Sequence, residues 1–243
     1  MNFLVLPDAA HVARYVSSLV VSTIRGCPTA AVALPTGKTP LPIYAALAPR
    51  LATREVEASR ASWFALDEFL GKEVPVEATF RHFLLSRFIA PAELSPDRLV
   101  TLCTACDDPA AEAARYEEAI RCAGGLQLAL LGLGGNGHVA FNEPGSPRDG
   151  RTGLRPLTEL TRQANEYLFS SAPQVPTHGL SMGIGTLLEA RRLVVAATGT
   201  GKANIVARLA ASDPDEALPA SLLKLHPDCT VVLDEAAAGG IGR

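Results

Sequence analysis

Leu126-Gln-Leu-Ala-Leu-Leu131 runs directly into Gly132-Leu-Gly-Gly-Asn-Gly-His138-Val-Ala-Phe-Asn-Glu143-Pro-Gly145. This junction places the chain among α/β proteins. A short apolar run bounded by glycines reads as a buried strand. Four of the next six residues are glycine (Gly132, Gly134, Gly135 and Gly137), and a glycine-rich loop lets the backbone turn tightly and come close to a ligand. His138 follows the loop and Glu143 stands five residues later. Ligands of open α/β sheets bind beyond the carboxyl ends of the strands. An imidazole and a carboxylate delivered there point to proton transfer on a small molecule.

The rest of the chain alternates short apolar runs with amphipathic stretches. Strands are expected at 3–6, 30–34, 62–66, 192–197 and 230–233, beside 126–131. Asp8 is expected to cap a helix reaching about Arg25, because its carboxylate can accept free amide hydrogens of a first turn. Further helices are expected at 40–51, 79–89, 109–123, 185–190, 202–211 and 219–225, while 154–160 fits neither pattern. The Pro/Gly/Arg-rich piece 144–156 reads as a mobile flap or a plain surface loop. The small-residue tail 236–243 is expected to fray. The expected fold class is therefore α/β: one modified Rossmann-like domain spanning 1–243, with a mostly parallel sheet and helices on both faces.

Composition narrows the function. The chain has 243 residues, 48% of them hydrophobic, and a net charge of −3. A broad nucleic-acid footprint needs a basic face, so no nucleic-acid partner is expected. Met1-Asn-Phe-Leu-Val-Leu6 lacks the basic start and long apolar run of a signal peptide. No apolar stretch reaches the ~20 residues that span a bilayer, so no membrane partner and a cytoplasmic location are expected. Five cysteines at irregular spacing do not form a disulfide scaffold. Cys103-Thr-Ala-Cys106 lacks a second pair at zinc spacing, and no metal site is expected.

Four polar loops follow strands: 35–40, 67–68, 132–143 and 198–202. Thr36-Gly37-Lys38-Thr39 and Thr200-Gly-Lys202 each combine backbone amides, a hydroxyl and an ammonium at a helix start, where phosphate binds well. The two loops could hold one phosphate between them. A nucleotide P-loop is excluded: Val32 and Ala196 stand where its first glycine belongs, and Ala203 replaces its hydroxyl. Gly132, Gly134 and Gly137 match a dinucleotide fingerprint, but Phe141-Asn-Glu-Pro144 blocks the helix that should follow. Asp67 closes a strand. Buried there, its carboxyl would have a raised pKa and could shuttle a proton; a cap or turn role is the plainer alternative. His11, His82, His178 and His226 have no comparable setting and read as structural or surface residues.

Taken together, Leu34-Pro-Thr-Gly-Lys-Thr-Pro40, Leu66-Asp-Glu-Phe69, Gly134-Gly-Asn-Gly-His-Val-Ala-Phe-Asn-Glu-Pro144 and Gly199-Thr-Gly-Lys202 resemble the glucosamine-6-phosphate deaminase/isomerase family. The order and spacing match across about residues 1–235. The resemblance implies conversion of a hexosamine 6-phosphate and water to a ketohexose 6-phosphate and ammonia, a hydrolase by its use of water, with no cofactor. It implies that Asp67 moves the C2 proton to C1, that His138 opens the pyranose ring, and that Glu143 orients and tunes His138. It also implies phosphate binding by Thr36, Gly37, Lys38, Thr39 and Lys202.

The chain departs from the family in places. Asn136 stands where some members have Asp, so it can orient His138 without offering a charge. Thr161-Arg-Gln-Ala-Asn165 is followed by Glu166-Tyr167, not by the arginine that grips phosphate in many members, and Lys38 is expected to compensate. Gly153 replaces a basic residue of the allosterically activated members and the tail is short, so no activation by N-acetylglucosamine 6-phosphate is expected. Glucosamine and galactosamine 6-phosphates fit equally well, and the oligomeric state stays open. Sister 6-phosphogluconolactonases share the fold and a related Gly-His loop, but not usually Phe-Asn-Glu-Pro. A sugar-phosphate sensor would need a DNA-binding segment ahead of the fold; about thirty residues precede the first phosphate loop and the chain is acidic, so a sensor is not expected.

Overall fold

A computed structural model describes residues 1–169, 171 and 174–241. The strands are β1 (Asn2–Leu6), β2 (Ala31–Leu34), β3 (Ser62–Ala65), β4 (Asp67–Phe69), β5 (Leu99–Val100), β6 (Leu126–Gly132), β7 (Gly153–Pro156), β8 (His178–Ser181), β9 (Leu193–Ala197) and β10 (Cys229–Asp234). The helices are α1 (Ala9–Gly26), α2 (Pro40–Ala52), α3 (Phe80–Leu84), α4 (Pro109–Cys122), α5 (Glu159–Asn165), α6 (Ile184–Leu188), α7 (Ala203–Ala211) and α8 (Pro219–Leu222). Seven strands form one sheet in the order β1-β10-β9-β6-β2-β3-β5, and all its pairings are parallel. The expected α/β architecture is therefore the observed one.

The inner strands of this sheet are buried on both faces, β2 and β9 completely, which is why they are apolar and do not alternate. Val32, Leu34, Trp63, Leu128 and Leu130 pack with residues of α1 and α2 on one face. Ala31, Ala33, Phe64, Ala129 and Leu131 pack on the other with residues of α4, α6, α7 and α8. Asp8 caps α1 as expected, its side chain accepting from the His11 amide.

The chain runs outward from β2 to β3 and β5, returns to β6 beside β2, and then runs the opposite way through β9 and β10. The gap between β2 and β6 is thus a topological switch point, where connections diverge and open a crevice at the strand ends.

A second, antiparallel sheet, β4-β8-β7, lies beyond the first. It corrects the reading of Asp67-Glu68 as a loop after β3. These residues begin β4, with Asp67 opposite Ser181. The ambiguous stretch 154–160 divides into most of β7 and the start of α5. The segment 144–156 is tied down along its length. Gly145 N donates to Glu216 O, Arg148 N donates to Glu216 Oε1, and Arg151 is paired with Glu117 and Glu189. The tail also departs from expectation: 237–240 form a turn of 3₁₀ helix packed near α7, with Ala237 fully buried.

Candidate active site

Each polar loop identified in the sequence arrives at the switch point. The loop after β2 brings Thr36, Gly37, Lys38 and Thr39; the start of β4 brings Asp67; the loop after β6 brings His138; the loop after β9 brings Lys202. All seven line one cleft of about 480 Å³. Asn136 and Glu143 do not line it, and both connect to His138 from behind.

The glycine loop shapes the seat of the imidazole. A Cβ at Gly134 would stand 2.3–2.4 Å from His138 ring atoms, so only glycine lets the ring lie across that backbone. Gly137 has φ +91°, and its carbonyl accepts from Ala220 N at 2.9 Å. Ala140, two residues past His138, also has a positive φ, 49°. The following residues are anchored on β8 and its continuation: Phe141 N donates to Ser181 Oγ at 3.1 Å, and Asn142 Nδ2 donates to Met182 O at 2.8 Å.

His138 and Glu143 communicate mainly through Asn136. Asn136 Nδ2 donates to Glu143 Oε2 at 2.7 Å, and Asn136 Oδ1 lies 2.8 Å from His138 Nδ1. The direct Nδ1–Oε2 separation is 3.7 Å, beyond a hydrogen bond. Because the amide nitrogen serves the carboxylate, its oxygen faces the ring and can only accept. Neutral His138 therefore carries its proton on Nδ1, leaving the lone pair on Nε2. Burial pushes the His138 pKa down, the Glu143 charge opposes that, and Lys202 adds to it.

Asp67 is 7% exposed, and its carboxyl has no hydrogen-bond partner among the described residues. Burial raises its pKa well above the ordinary carboxylate range, and Glu68 raises it further. Glu68 itself is fully buried and accepts from the amides of Phe69, Phe80 and Arg81. Burial nevertheless lifts it to about 7. Lys202 Nζ donates to Leu133 O at 2.6 Å, and burial lowers its pKa. The arrangement provides a desolvated carboxyl, a neutral imidazole with a fixed tautomer, and two ammonium groups in one crevice.

A family model described as glucosamine-6-phosphate isomerases/6-phosphogluconolactonase matches residues 8–232. The chain belongs to this family. The chain is 39% identical over 239 residues to the glucosamine-6-phosphate deaminase of Streptomyces avermitilis, covering 98% of this chain and 92% of that one. The deaminase of Bacillus velezensis is 37% identical over 240 residues, covering 99% of this chain and 100% of its own. A solved monomeric glucosamine-6-phosphate deaminase superposes with a TM-score of 0.94 at 33% identity, over 99% of this chain and 100% of that one. The 6-phosphogluconolactonase of Trypanosoma cruzi has a TM-score of 0.77 at 21% identity, over 100% and 97% of the chains. That likeness bears on the fold alone.

Several site residues of this family member escaped the sequence reading. Thr158, the N-cap of α5, accepts from Thr161 N and donates to Glu143 Oε1 at 3.1 Å. Thr161 Oγ1 lies 3.3 Å from His138 Nδ1. The first turn of α5 thus braces both the imidazole and its carboxylate. The one available signal was a threonine preceding an acidic first turn. Asp234, at the end of β10, accepts from Gly199 N with both carboxylate oxygens at 3.0 Å and holds the Lys202 loop. Tyr167, after α5, places its ring under Lys38, with Nζ 5.4 Å from the centroid.

Proposed function

We propose that this chain is a glucosamine-6-phosphate deaminase, an enzyme that isomerises an aldose to a ketose and releases the C2 amine as ammonia. The observation that carries the reading is the shared cleft: an unpaired, desolvated Asp67 and a tautomer-fixed His138 facing the same space as Lys38 and Lys202. Relatives of this name that match over nearly the full length support it.

The chemistry proceeds by proton transfers, each assigned to a side chain. The phosphate is held by Thr36, Gly37, Lys38, Thr39 and Lys202. Binding energy at that remote group orients C1 and C2 against the acid–base residues. His138, through Nε2, moves the proton that opens the pyranose ring to the aldehyde. Glu143, acting through Asn136, favours the imidazolium as it forms.

Asp67 then takes the C2 proton. The C2–H electron pair becomes the C1=C2 bond of an enediol-like intermediate, and the C1=O pair takes up a proton that the C2 ammonium gives up, leaving an enolamine. Asp67 returns its proton to C1, leaving an iminium at C2. Water adds there, ammonia leaves, and the ketose 6-phosphate remains. A raised pKa suits Asp67 to this shuttle, because a stronger base accepts a carbon-bound proton more readily. Water enters only to replace the amine, and the isomerisation is the core of the reaction.

The purified chain is to be assayed with glucosamine 6-phosphate, galactosamine 6-phosphate and 6-phosphogluconolactone in parallel. Ammonia from the glucosamine compound is the expected result. Ammonia from the galactosamine compound alone would change the epimer. Acid from the lactone without ammonia would replace the deaminase reading with a lactonase.

A further inference from the structure

Lys38 and Tyr167 come to the cleft from different elements and meet there. Lys38 belongs to the loop between β2 and α2. Tyr167 belongs to the 3₁₀ turn Glu166–Leu168 that continues α5. Both line the cleft, and Lys38 Nζ sits 5.4 Å from the Tyr167 ring centroid. An ammonium within ~6 Å of a ring face is attracted by its quadrupole.

Two further observations single out this contact. Tyr167 is 54% exposed, so its ring is not a core-packing residue. The neighbouring cations each have a polar protein partner, a single carbonyl in the case of Lys202, which leaves its other two donors for a ligand. Lys202 Nζ is bonded to Leu133 O, and the Arg162 guanidinium to Val175 O and Glu159. Among the described residues Lys72, paired with Asp107, is the one lysine in an ion pair. Lys38 is thus a cation held over the cleft by an aromatic face and not by a carboxylate that would compete with an anionic ligand.

We propose that Tyr167 is a positioning residue for phosphate recognition: its ring holds the Lys38 ammonium over the cleft, ready to meet the phosphate of the substrate. The proposal rests on the sugar-phosphate reading above. A lysine side chain left free must lose most of its rotamers when it grips a ligand, and a side chain already held loses less. The ring supplies that restraint without neutralising the charge.

The test uses the full chain with Tyr167→Leu, Tyr167→Phe, Lys38→Met and the double variant Lys38→Met/Tyr167→Leu. Affinity for inorganic phosphate is read without substrate, from its protection against thermal unfolding, and KM and kcat are read with glucosamine 6-phosphate. Tyr167→Leu should weaken phosphate about two- to tenfold and raise KM by a like factor, with kcat held within about twofold. Tyr167→Phe keeps the ring face and should match the unmodified chain. In the Lys38→Met background, Tyr167→Leu should add nothing further. Unchanged phosphate affinity in Tyr167→Leu, an equal loss in the Lys38→Met background, or a fall in kcat at constant KM would each overturn the proposal. If phosphate binding follows the expected pattern while no ammonia is released from hexosamine phosphates, the positioning role stands and the deaminase reading falls.

Discussion

Asn136 bridges His138 and Glu143 with its two side-chain ends, oxygen to the imidazole and nitrogen to the carboxylate. A charge that stands 3.7 Å from the ring is thereby joined to it by two short hydrogen bonds. The amide transmits orientation, while the Glu143 charge supports the imidazolium at a distance. The order of His138 pKa values in variants follows. Glu143→Gln removes the charge that opposes desolvation, so the pKa should fall below that of the unmodified chain. Asn136→Asp brings a charge against Nδ1 and should raise it. NMR titration of the His138 ring in the three proteins reads the order, and a pKa that does not move in Glu143→Gln would refute the electrostatic support by Glu143.

Asp67 sets activity and stability against each other. Asp67→Asn should lower kcat by about 10²–10⁴-fold, the usual worth of a positioned general base, while sugar-phosphate binding persists. The folded-state pKa of Asp67 is raised, so its contribution to stability is present below the ordinary Asp range and is lost as pH rises through the folded value. Asp67→Asn should therefore melt at a higher temperature than the unmodified chain at neutral and alkaline pH, and the advantage should vanish in acid. Melting curves of both proteins across that range check the sign.

Lys38→Gly removes one of the two ammonium groups lining the cleft. KM for the sugar phosphate should rise about three- to tenfold, in line with the loss of one partly exposed charge-assisted contact. The effect should shrink as salt is added, because an exposed cation is screened. Steady-state kinetics at two ionic strengths would show it, and a KM unaffected by the substitution would remove Lys38 from the phosphate site.

Ala140 holds φ +49° within the site loop. A left-handed conformation is costly for alanine and free for glycine, although glycine also loosens the unfolded chain. Ala140→Gly should raise Tm by about 1–3 °C. A lower Tm measured by calorimetry would show that the methyl group is retained for packing that outweighs the strain.

How much of this was legible in the sequence depends on whether the signal was local. The central strands were readable because a sheet buried on both faces requires apolar runs, and Ala31-Val-Ala-Leu34 and Leu193-Val-Val-Ala-Ala197 are such runs. The loops after them were readable because glycine, threonine and lysine at a strand–helix junction have few other uses. Asp67-Glu68 looked like the polar loop that ends β3, since nothing within three residues announces antiparallel pairing with a strand at 178–181. Thr158 and Thr161 were silent for a related reason. Their partners, His138 and Glu143, are brought to them by the fold, and the short helix they begin has too few turns to show a periodicity. The tail at 236–241 misled through its composition: small residues suit fraying, but they also suit close packing near α7.

The first strand and the last one share an edge of the main sheet. β1 has β10 as its single neighbour in that sheet, with Asn2 against Thr230 and Leu6 against Asp234. β1 thus has no strand to pair with until β10, more than 220 residues later in the chain, has been made. A chain stopped before residue 229 would lose two strands and not one, and with Asp234 it would lose the carboxylate that holds the Lys202 loop. The dependence runs one way: damage to β10 strips β1 of its only strand partner in that sheet, whereas loss of β1 leaves β10 still paired with β9.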